Sequence, residues 1–288
     1  MQVKFRLALQ KSGRLSEESV RLLKECGIDF QNSVGSKLLR AESQNFPMEF
    51  LFLRDDDIPG YVEDGVVDAG IVGLNVVRER GAKVDVVEEL GFGACRLALA
   101  ASKGSPYQSL QDLDGKRIAT SYPRILRDYL AQKGMSAEIH EISGSVEIAP
   151  SIGLADAICD LVSTGSTLVA NGLREIETVM QSQAVLAVRA GLPQEKLDLL
   201  QRLCFRIQAV RRASRTKYIL LNAPTARLEQ ILAVLPACKS PTVLPLAIEG
   251  WSSVHSVVDE DCFWSIIENL KQAGAEGILV LPIEKMVL

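Results

Sequence analysis

The chain has 288 residues, 47% of them hydrophobic and 24% charged, with a formal net charge of −4. That length supports two or three domains with sizeable cores. The acidic balance offers neither nucleic acid nor an anionic membrane a basic footprint, and no apolar run reaches the ~20 residues of a spanning helix.

The N-terminal MQVKFRLAL reads as a strand and not as a leader. Six cysteines stand at positions 26, 95, 159, 204, 238 and 262 without a C-x-x-C pair, mostly among apolar neighbours. Buried free thiols and the reducing cytoplasm are the expectation.

Val3 to Leu9 alternates like a strand, and the loop Gln10 to Leu15 leads into a helix with Ser16 as its predicted N-cap. Lys11 and Arg14 follow the strand's C-terminal end, where α/β sheets bind ligands, although paired loop cations are more often merely solvated. Glu49 to Leu53 is a second strand. Arg54 and Asp55 follow it as ligand candidates, and Asp57 before Ile58-Pro59 reads as a helix cap. Asp64 to Gly73 then runs helix end, acid, apolar strand and glycine turn.

Gly91 to Arg96 leads into the strand Leu97 to Ala101, with Arg96 placed to face a cleft. KRIATSYPRIL at 116–126 parallels FRLALQKSGRL at 5–15, which matches Ser121 and Tyr122 to the Lys11–Arg14 loop. Two similar α/β lobes with a cleft between them are implied, the chain crossing back near Ala184 to Arg189.

In the second lobe, Gly153 to Ile158 reads as the end of a short helix and Cys159 to Val162 as a buried strand. Ser163-Thr164-Gly165-Ser166-Thr167 then supplies four hydroxyls and a glycine where a helix begins. Such a turn presents unpaired amides and can cradle a phosphate. Asp160, just upstream, suits sugar hydroxyls or a hydrated Mg2+, so a ribose 5-phosphate fits the stretch. An ordinary turn capped by Ser163 or Thr164 fits the loop taken alone equally well.

Beyond the helix Gln194 to Ala213 the pattern changes. Strands at 217–222, 242–248, 253–258 and 277–281 alternate with helices at 225–235 and 261–273, capped by Thr225 and by Asp259 or Asp261. That is βαββαβ, the ferredoxin-like plan. It holds no phosphate loop or acid–base pair, and His140 and His255, the two histidines of the chain, read as structural or exposed.

Glu147, Gly153, Ala155, Ile158, Asp160, Thr164, Gly165, Thr167 and Leu168 resemble the signature of the ATP phosphoribosyltransferase family. QKSGRL at 10–15, RDDDIPG at 54–60, DGVVDAGIVG at 64–73, GKRIATSYP at 115–123 and LVLPIEKM at 279–286 extend the likeness over the whole chain. The resemblance implies two periplasmic-binding-protein-like lobes forming a cleft, plus a C-terminal ferredoxin-like regulatory domain. Expected boundaries are 1–95 with 182–212 for lobe I, 96–181 for lobe II and 214–288 for the third domain.

It implies transfer of a phosphoribosyl group to N1 of ATP, the first step of histidine biosynthesis. Asp160, Asp156 and Glu147 would then be catalytic, with Ser163 to Thr167 on the 5-phosphate. Lys11, Gly13, Arg14, Arg54, Asp55, Asp68, Arg96, Ser121 and Tyr122 would serve the nucleotide. Mg2+ would be held mainly by the pyrophosphate, with Asp160 the protein candidate. The family also has a short form that depends on a separate regulatory partner; this chain resembles the long form, with histidine as allosteric inhibitor and a homohexamer built of dimers. A two-lobed solute-binding or effector-sensing protein is the rival, although it has no need of an acid followed by a hydroxyl loop.

Overall fold

The computed structural model describes residues 3–31, 38–235 and 240–287. Strand β1 (Phe5–Gln10) is followed by α1 (Arg14–Glu25), β2 (Arg40–Glu42), β3 (Met48–Leu53), α2 (Ile58–Glu63), β4 (Ala69–Gly73), α3 (Leu74–Arg80) and β5 (Val84–Glu89). Next come β6 (Cys95–Ser102), β7 (Arg117–Thr120), α4 (Pro123–Gln132), β8 (Glu138–Glu141), β9 (Ala157–Val162), α5 (Ser166–Ala170), β10 (Leu173–Ser182) and β11 (Ala184–Arg189). Then follow α6 (Gln194–Ser214), β12 (Thr216–Pro224), α7 (Leu228–Val234), β13 (Thr242–Pro245), β14 (Trp251–Asp259), α8 (Phe263–Gln272) and β15 (Glu276–Pro282).

Three sheets result. The first runs β2-β3-β1-β4-β11-β5, with β1 parallel to β3 and β4 and the returning strand β11 antiparallel to its neighbours. Strand β4 is buried throughout, as expected of an inner strand covered on both faces. The second sheet runs β10-β6-β9-β7-β8, again a parallel set (β9, β7, β8) beside two antiparallel strands. The two make the paired α/β lobes. The third sheet is antiparallel, β13-β14-β12-β15, the strand order of a ferredoxin-like βαββαβ unit. Its core sets Ile219, Leu221, Val254 and Val258 against Ile231, Ile266 and Leu270. The chain divides into compact units at 1–201 and 202–288, inside α6.

One staple recurs in both lobes. The sequences Gly65-Val66-Val67-Asp68-Ala69 and Gly153-Leu154-Ala155-Asp156-Ala157 share G-x-x-D-A. Both glycines sit in the left-handed region, at φ 72° and 74°, where a side chain is strained. In the first, Asp68 N donates to the Arg6 carbonyl (2.9 Å) and its Oδ2 accepts the Arg6 amide (2.8 Å). In the second, Asp156 N donates to the Arg117 carbonyl (2.8 Å) and its Oδ2 accepts the Arg117 amide (3.0 Å). Each acid thus stitches the start of one parallel strand to the start of its neighbour. Each is also neutralised, Asp68 by Lys196 at 2.7 Å and Asp156 by the Arg117 guanidinium at 3.0 Å.

Several expected local details differ. Residues 153–156 are turn and bend, and the strand begins at Ala157, because Ala157 and Ile158 pair with both β6 and β7 and sheet pairing overrides their helical propensity. Helix α1 starts at Arg14 with Gly13 at its N-cap; Ser16 is buried inside its first turn. Asp57 does occupy the N-cap of α2, but it accepts no amide there. Thr225 and Asp261 lie within 3-10 turns, and Asp259 precedes one without capping it through its side chain. Cys26, Cys95, Cys159, Cys204 and Cys262 are not joined in disulfides; Cys238 lies outside the described residues.

The lobes meet through α3 and α4. The Glu79 carboxylate accepts the amides of Arg124 (2.9 Å) and Ile125 (3.0 Å) at the start of α4. Asn75 Nδ2 donates to the Tyr122 hydroxyl at 3.3 Å. Asn75 itself is anchored by Ser182, whose Oγ accepts its amide and donates to its Oδ1. Glu79 is therefore an N-cap supplied by the opposite lobe. Glu79→Ala should destabilise by about 1–2 kcal/mol, the usual worth of a cap, and Glu79→Gln, which keeps an acceptor, by less. Thermal unfolding reads this, and an unchanged Tm in Glu79→Ala would remove the cap from the fold's accounts.

Candidate active site

Strand β9 delivers the site. Residues 157–159 pair on both sides and 160–162 with β6 alone, with Ala98 opposite Asp160 and Arg96 opposite Val162. The chain then turns through Ser163-Thr164-Gly165 into α5, with Gly165 at φ 83°, a conformation suited to glycine. Thr164 Oγ1 lies 3.0 Å from Ser166 Oγ and accepts the Ser166 amide at 3.4 Å. The first-turn amides of a helix have no intrahelical partner. Helix α5 has only five residues, so the loop's local donors matter here more than a macrodipole.

A cavity of about 320 Å3 opens at this point, lined by Cys95, Glu147 and residues 160–168. Glu147 is carried by a 3-10 turn, Val146–Ile148, next to Ser145 at φ 50°. Ser145 is the non-glycine residue with positive φ among the described residues, and such strain clusters at functional sites. Burial pushes the Asp160 carboxyl up to about 6; the Leu161 amide it accepts opposes this, and the Glu147 charge adds to it. Two carboxylates and a run of hydroxyl and amide donors therefore face one space.

Tyr122 connects that space to the other lobe. Its phenol is pushed up by burial first and then by the charges of Asp160, Asp55 and Asp56, against the Asn75 hydrogen bond. Carboxylates of both lobes thus act on one hydroxyl in the cleft. Across it, Lys11 and Arg54 follow adjacent strand ends, tied by the Lys11 amide to the Leu53 carbonyl at 2.8 Å. Both side chains are exposed and have no ion-pair partner among the described residues. Arg14, also exposed, makes a loose 3.5 Å pair with Glu18, and Gly13 is the N-cap of the helix beside it.

Glu147, Asp160 and residues 163–167 come together as expected. Asp156 and Asp68 do not join them. They lie at the opposite ends of β9 and β4, consumed by the strand staples. Ser121 donates to the Ile142 carbonyl at 2.6 Å. Arg96 reaches the loop but is engaged by Glu175, with a 2.6 Å contact. Sequence reasoning missed Glu175, Glu79 and Asn75. No residue-type signal marks them; they matter through partners in other elements.

His255 lies between Tyr218 and Ser253, and His140 beside Glu138; neither borders the cavity. Among the described residues no group of three or more His, Cys, Asp or Glu is arranged to hold a metal. Glu147 and Asp160 fit contact with a hydrated cation brought by a ligand. No described helix is long and apolar enough to cross a membrane.

Asp156, just before β9, and Asp160, within it, predict opposite stability effects. Arg117 holds the Asp156 carboxyl below its usual range, so its contribution is present above the unfolded pKa and lost as pH falls through the lower folded one. Asp156→Asn should lower Tm by about 2–4 °C at neutral pH, the response of a protein this size to ~1 kcal/mol. Asp160 is raised, so its ionisation opposes folding as pH rises through about 6. Asp160→Asn should raise stability by on the order of 1–2 kcal/mol at pH 7.5, after discounting for partial exposure, and have no such effect below pH ~4. Calorimetry at both pH values checks the pair; equal shifts in both variants would remove the distinction.

The family model for ATP phosphoribosyltransferase matches residues 54–209, and a second, for the HisG C-terminal domain, matches residues 213–285. An ATP phosphoribosyltransferase of Cytophaga hutchinsonii is 59% identical over 287 residues, covering 100% of each chain. One of Phocaeicola vulgatus is 55% identical, covering 99% of this chain and all of the other. Among solved structures, the ATP phosphoribosyl transferase (HisG:HisZ) complex from Thermotoga maritima contains a similar chain. The TM-score is 0.60 at 29% identity, covering 71% of this chain and 98% of that one.

Proposed function

The chain belongs to the ATP phosphoribosyltransferase family, in its long form, and from that premise we propose how its residues perform the reaction. The 5-phosphoribosyl group of phosphoribosyl pyrophosphate passes to N1 of ATP. An N1–C1 bond forms, the C1–oxygen bond breaks, and its electron pair leaves with pyrophosphate. This is the first step of histidine biosynthesis.

The observation that carries the assignment of roles is the cavity shared by Glu147, Asp160 and the 163–167 loop. Thr164, Ser166, Thr167 and the Gly165 backbone hold the 5-phosphate through neutral donors. Asp160 accepts from the ribose hydroxyls and, when ionised, favours positive charge developing on the ring. Glu147 supports the same face. Lys11, Arg14 and Arg54 meet the polyphosphates from the opposite lobe, with Asp55 and Tyr122 in the cleft between. The leaving group is good, so the chain supplies positioning and electrostatics and no nucleophile. Bound Mg2+ would neutralise the pyrophosphate, with Glu147 and Asp160 near enough in kind for outer-sphere contact. A solute-binding reading would leave ultraviolet absorbance unchanged when ATP, donor and Mg2+ are mixed. The enzyme should produce the spectrum of an N1-substituted adenine.

Gly165→Val should raise the donor's KM by about tenfold or more, because a β-branched residue is strained at positive φ and crowds the phosphate. The KM for ATP should stay within about twofold. Unaltered donor KM in a folded variant would displace the loop from its role. The free enzyme should also lose kcat/KM as pH falls through about 6, where Asp160 takes up a proton; Asp160→Asn should be slow at every pH and lack that limb.

The ferredoxin-like unit carries no comparable constellation. It is the reading's histidine sensor and its assembly module, and the C-terminal family match supports this. Histidine should inhibit the full chain and leave a chain ending before Thr216 unaffected. Light scattering of the full protein should give about six times the 31.4 kDa chain mass. Inhibition that survives truncation would relocate the sensor to the lobes.

A further inference from the structure

Arg96 and Glu175 form the closest ion pair beside the loop, on strands that sequence alone would not align. Arg96 Nε donates to both Glu175 oxygens (2.9 and 3.0 Å) and Nη2 to Oε2 (2.6 Å), while Nη1 donates to the Ser163 carbonyl at 3.3 Å. Thr178 Oγ1 donates to Glu175 Oε1 at 3.0 Å. The pairing partners of Arg96, Ala98 and Ala100 on β10 are Gln181, Thr178 and Glu175. Paired residues share a face, so these six lie on one side of the sheet.

Two register shifts in β10 make this possible, between Glu175 and Glu177 and between Thr178 and Met180. In a regular strand residues three apart face opposite ways, and Glu175 would turn away from Thr178. Bulges re-aim side chains in this manner. The small side chains of Ala98 and Ala100 leave the face clear for the long pair.

The neighbouring strand β9 places Val162 opposite Arg96 and Asp160 opposite Ala98. Asp160 is thus a diagonal neighbour of Arg96, about 7–8 Å away between backbones and within an arginine's reach. The other groups around Asp160 are Glu147 on its 3-10 turn, Tyr122 before α4 and Cys159 on its own strand. None of these is a cation. Arg96 is the cation that would pair with Asp160 if Glu175 did not hold it.

We propose that Glu175 is a positioning residue: it keeps the Arg96 guanidinium on the Ser163 carbonyl, at the entrance to the hydroxyl loop, and off the Asp160 carboxylate. One clasp then does two things. It anchors the first residue of the loop, and it leaves Asp160 unneutralised for the ribose. This rests on the phosphoribosyl role of the loop.

The test is steady-state kinetics against pH on the full chain. Glu175→Gln releases Arg96 toward Asp160. The donor's KM should rise about tenfold through the lost charge-assisted anchor, with the KM for ATP within about twofold. The acid limb of kcat/KM should move down by about one pH unit, the effect of an adjacent cation on a carboxylate. The double variant R96Q/E175Q should return the limb to its wild-type position and keep the raised donor KM. A folded Glu175→Gln enzyme with wild-type donor KM and limb overturns the proposal, as does a displaced limb that persists in the double variant. If Glu175→Gln alone does not fold, the double variant, which leaves no unpaired charge, decides: wild-type donor KM overturns the proposal, and a raised one supports it. Gly165→Val in the same assay separates the two levels. If it raises donor KM while Glu175→Gln does not, only the clasp fails; if it changes nothing, the loop reading fails first.

Discussion

Each lobe depends on one buried or half-buried aspartate that fastens the start of two parallel strands, Asp68 to Arg6 and Asp156 to Arg117. Every bond in these staples is backbone amide, backbone carbonyl or neutralised carboxylate, so nothing polar is left over at that edge. Parallel strands with their starting ends pinned have their C-terminal ends in fixed relation. The loops that follow, 11–13, 54–57, 121–122 and 163–165, then all emerge on the same side of their sheets. They remain free to carry unpaired donors because the polar groups at the far edge are satisfied. The duplication of the staple explains why the two lobes look alike in sequence without sharing a site.

The edge that carries Asp160 makes the contrary choice. Asp160 is half-buried with no cation beside it, and burial pushes its carboxyl up to about 6. Glu147 adds repulsion instead of relief. Ser145 stands in the left-handed region to present that turn. Instability of this kind is tolerated where ligand binding offsets it. A ribose hydroxyl donating to Asp160, or a cation carried by the substrate, removes what the free protein lacks. The same carboxylate paired to arginine would stabilise the fold and have little left for the substrate.

Much of this was legible in the residues. The hydroxyl loop, the acid before it, the strand–loop–helix echo of 5–15 with 116–126 and the βαββαβ tail all follow from local pattern, and the elements carry them. What was not legible depended on partners. Asp68, Asp156 and Asp160 are the same residue type on similar strands; only the position along the strand, beginning or end, separates staple from site. Ala157 has a real helix propensity, but two neighbouring strands claim it together with the β-branched Ile158. Arg96 looked like a cation for the ligand because Glu175 is 79 residues away and reaches it only through two bulges. A period-2 reading of β10 from Gln181 turns Thr178 to the other face and sets Glu175 opposite Ser102, too far along β6 to meet Arg96.

These assignments divide the charge of the reaction between the lobes. Beside the hydroxyl loop the cation is already engaged, so in the proposed roles that lobe would meet a dianionic phosphate with neutral donors. Lys11 and Arg54, exposed and without ion-pair partners among the described residues, stand on the other lobe. Neutral donors bind a phosphate without demanding that a salt bridge be broken on release, whereas free cations attract polyphosphate over a Debye length. In those roles a donor held by its 5-phosphate on one lobe and by its pyrophosphate on the other would bridge the cleft. Its leaving group would then be drawn toward the lobe that does not hold the ribose. The Glu79 cap and the Asn75–Tyr122 contact keep those lobes in register from the side. On this reading the separation of charge between lobes gives the C1–oxygen bond its direction of cleavage, with the ribose fixed and the pyrophosphate pulled.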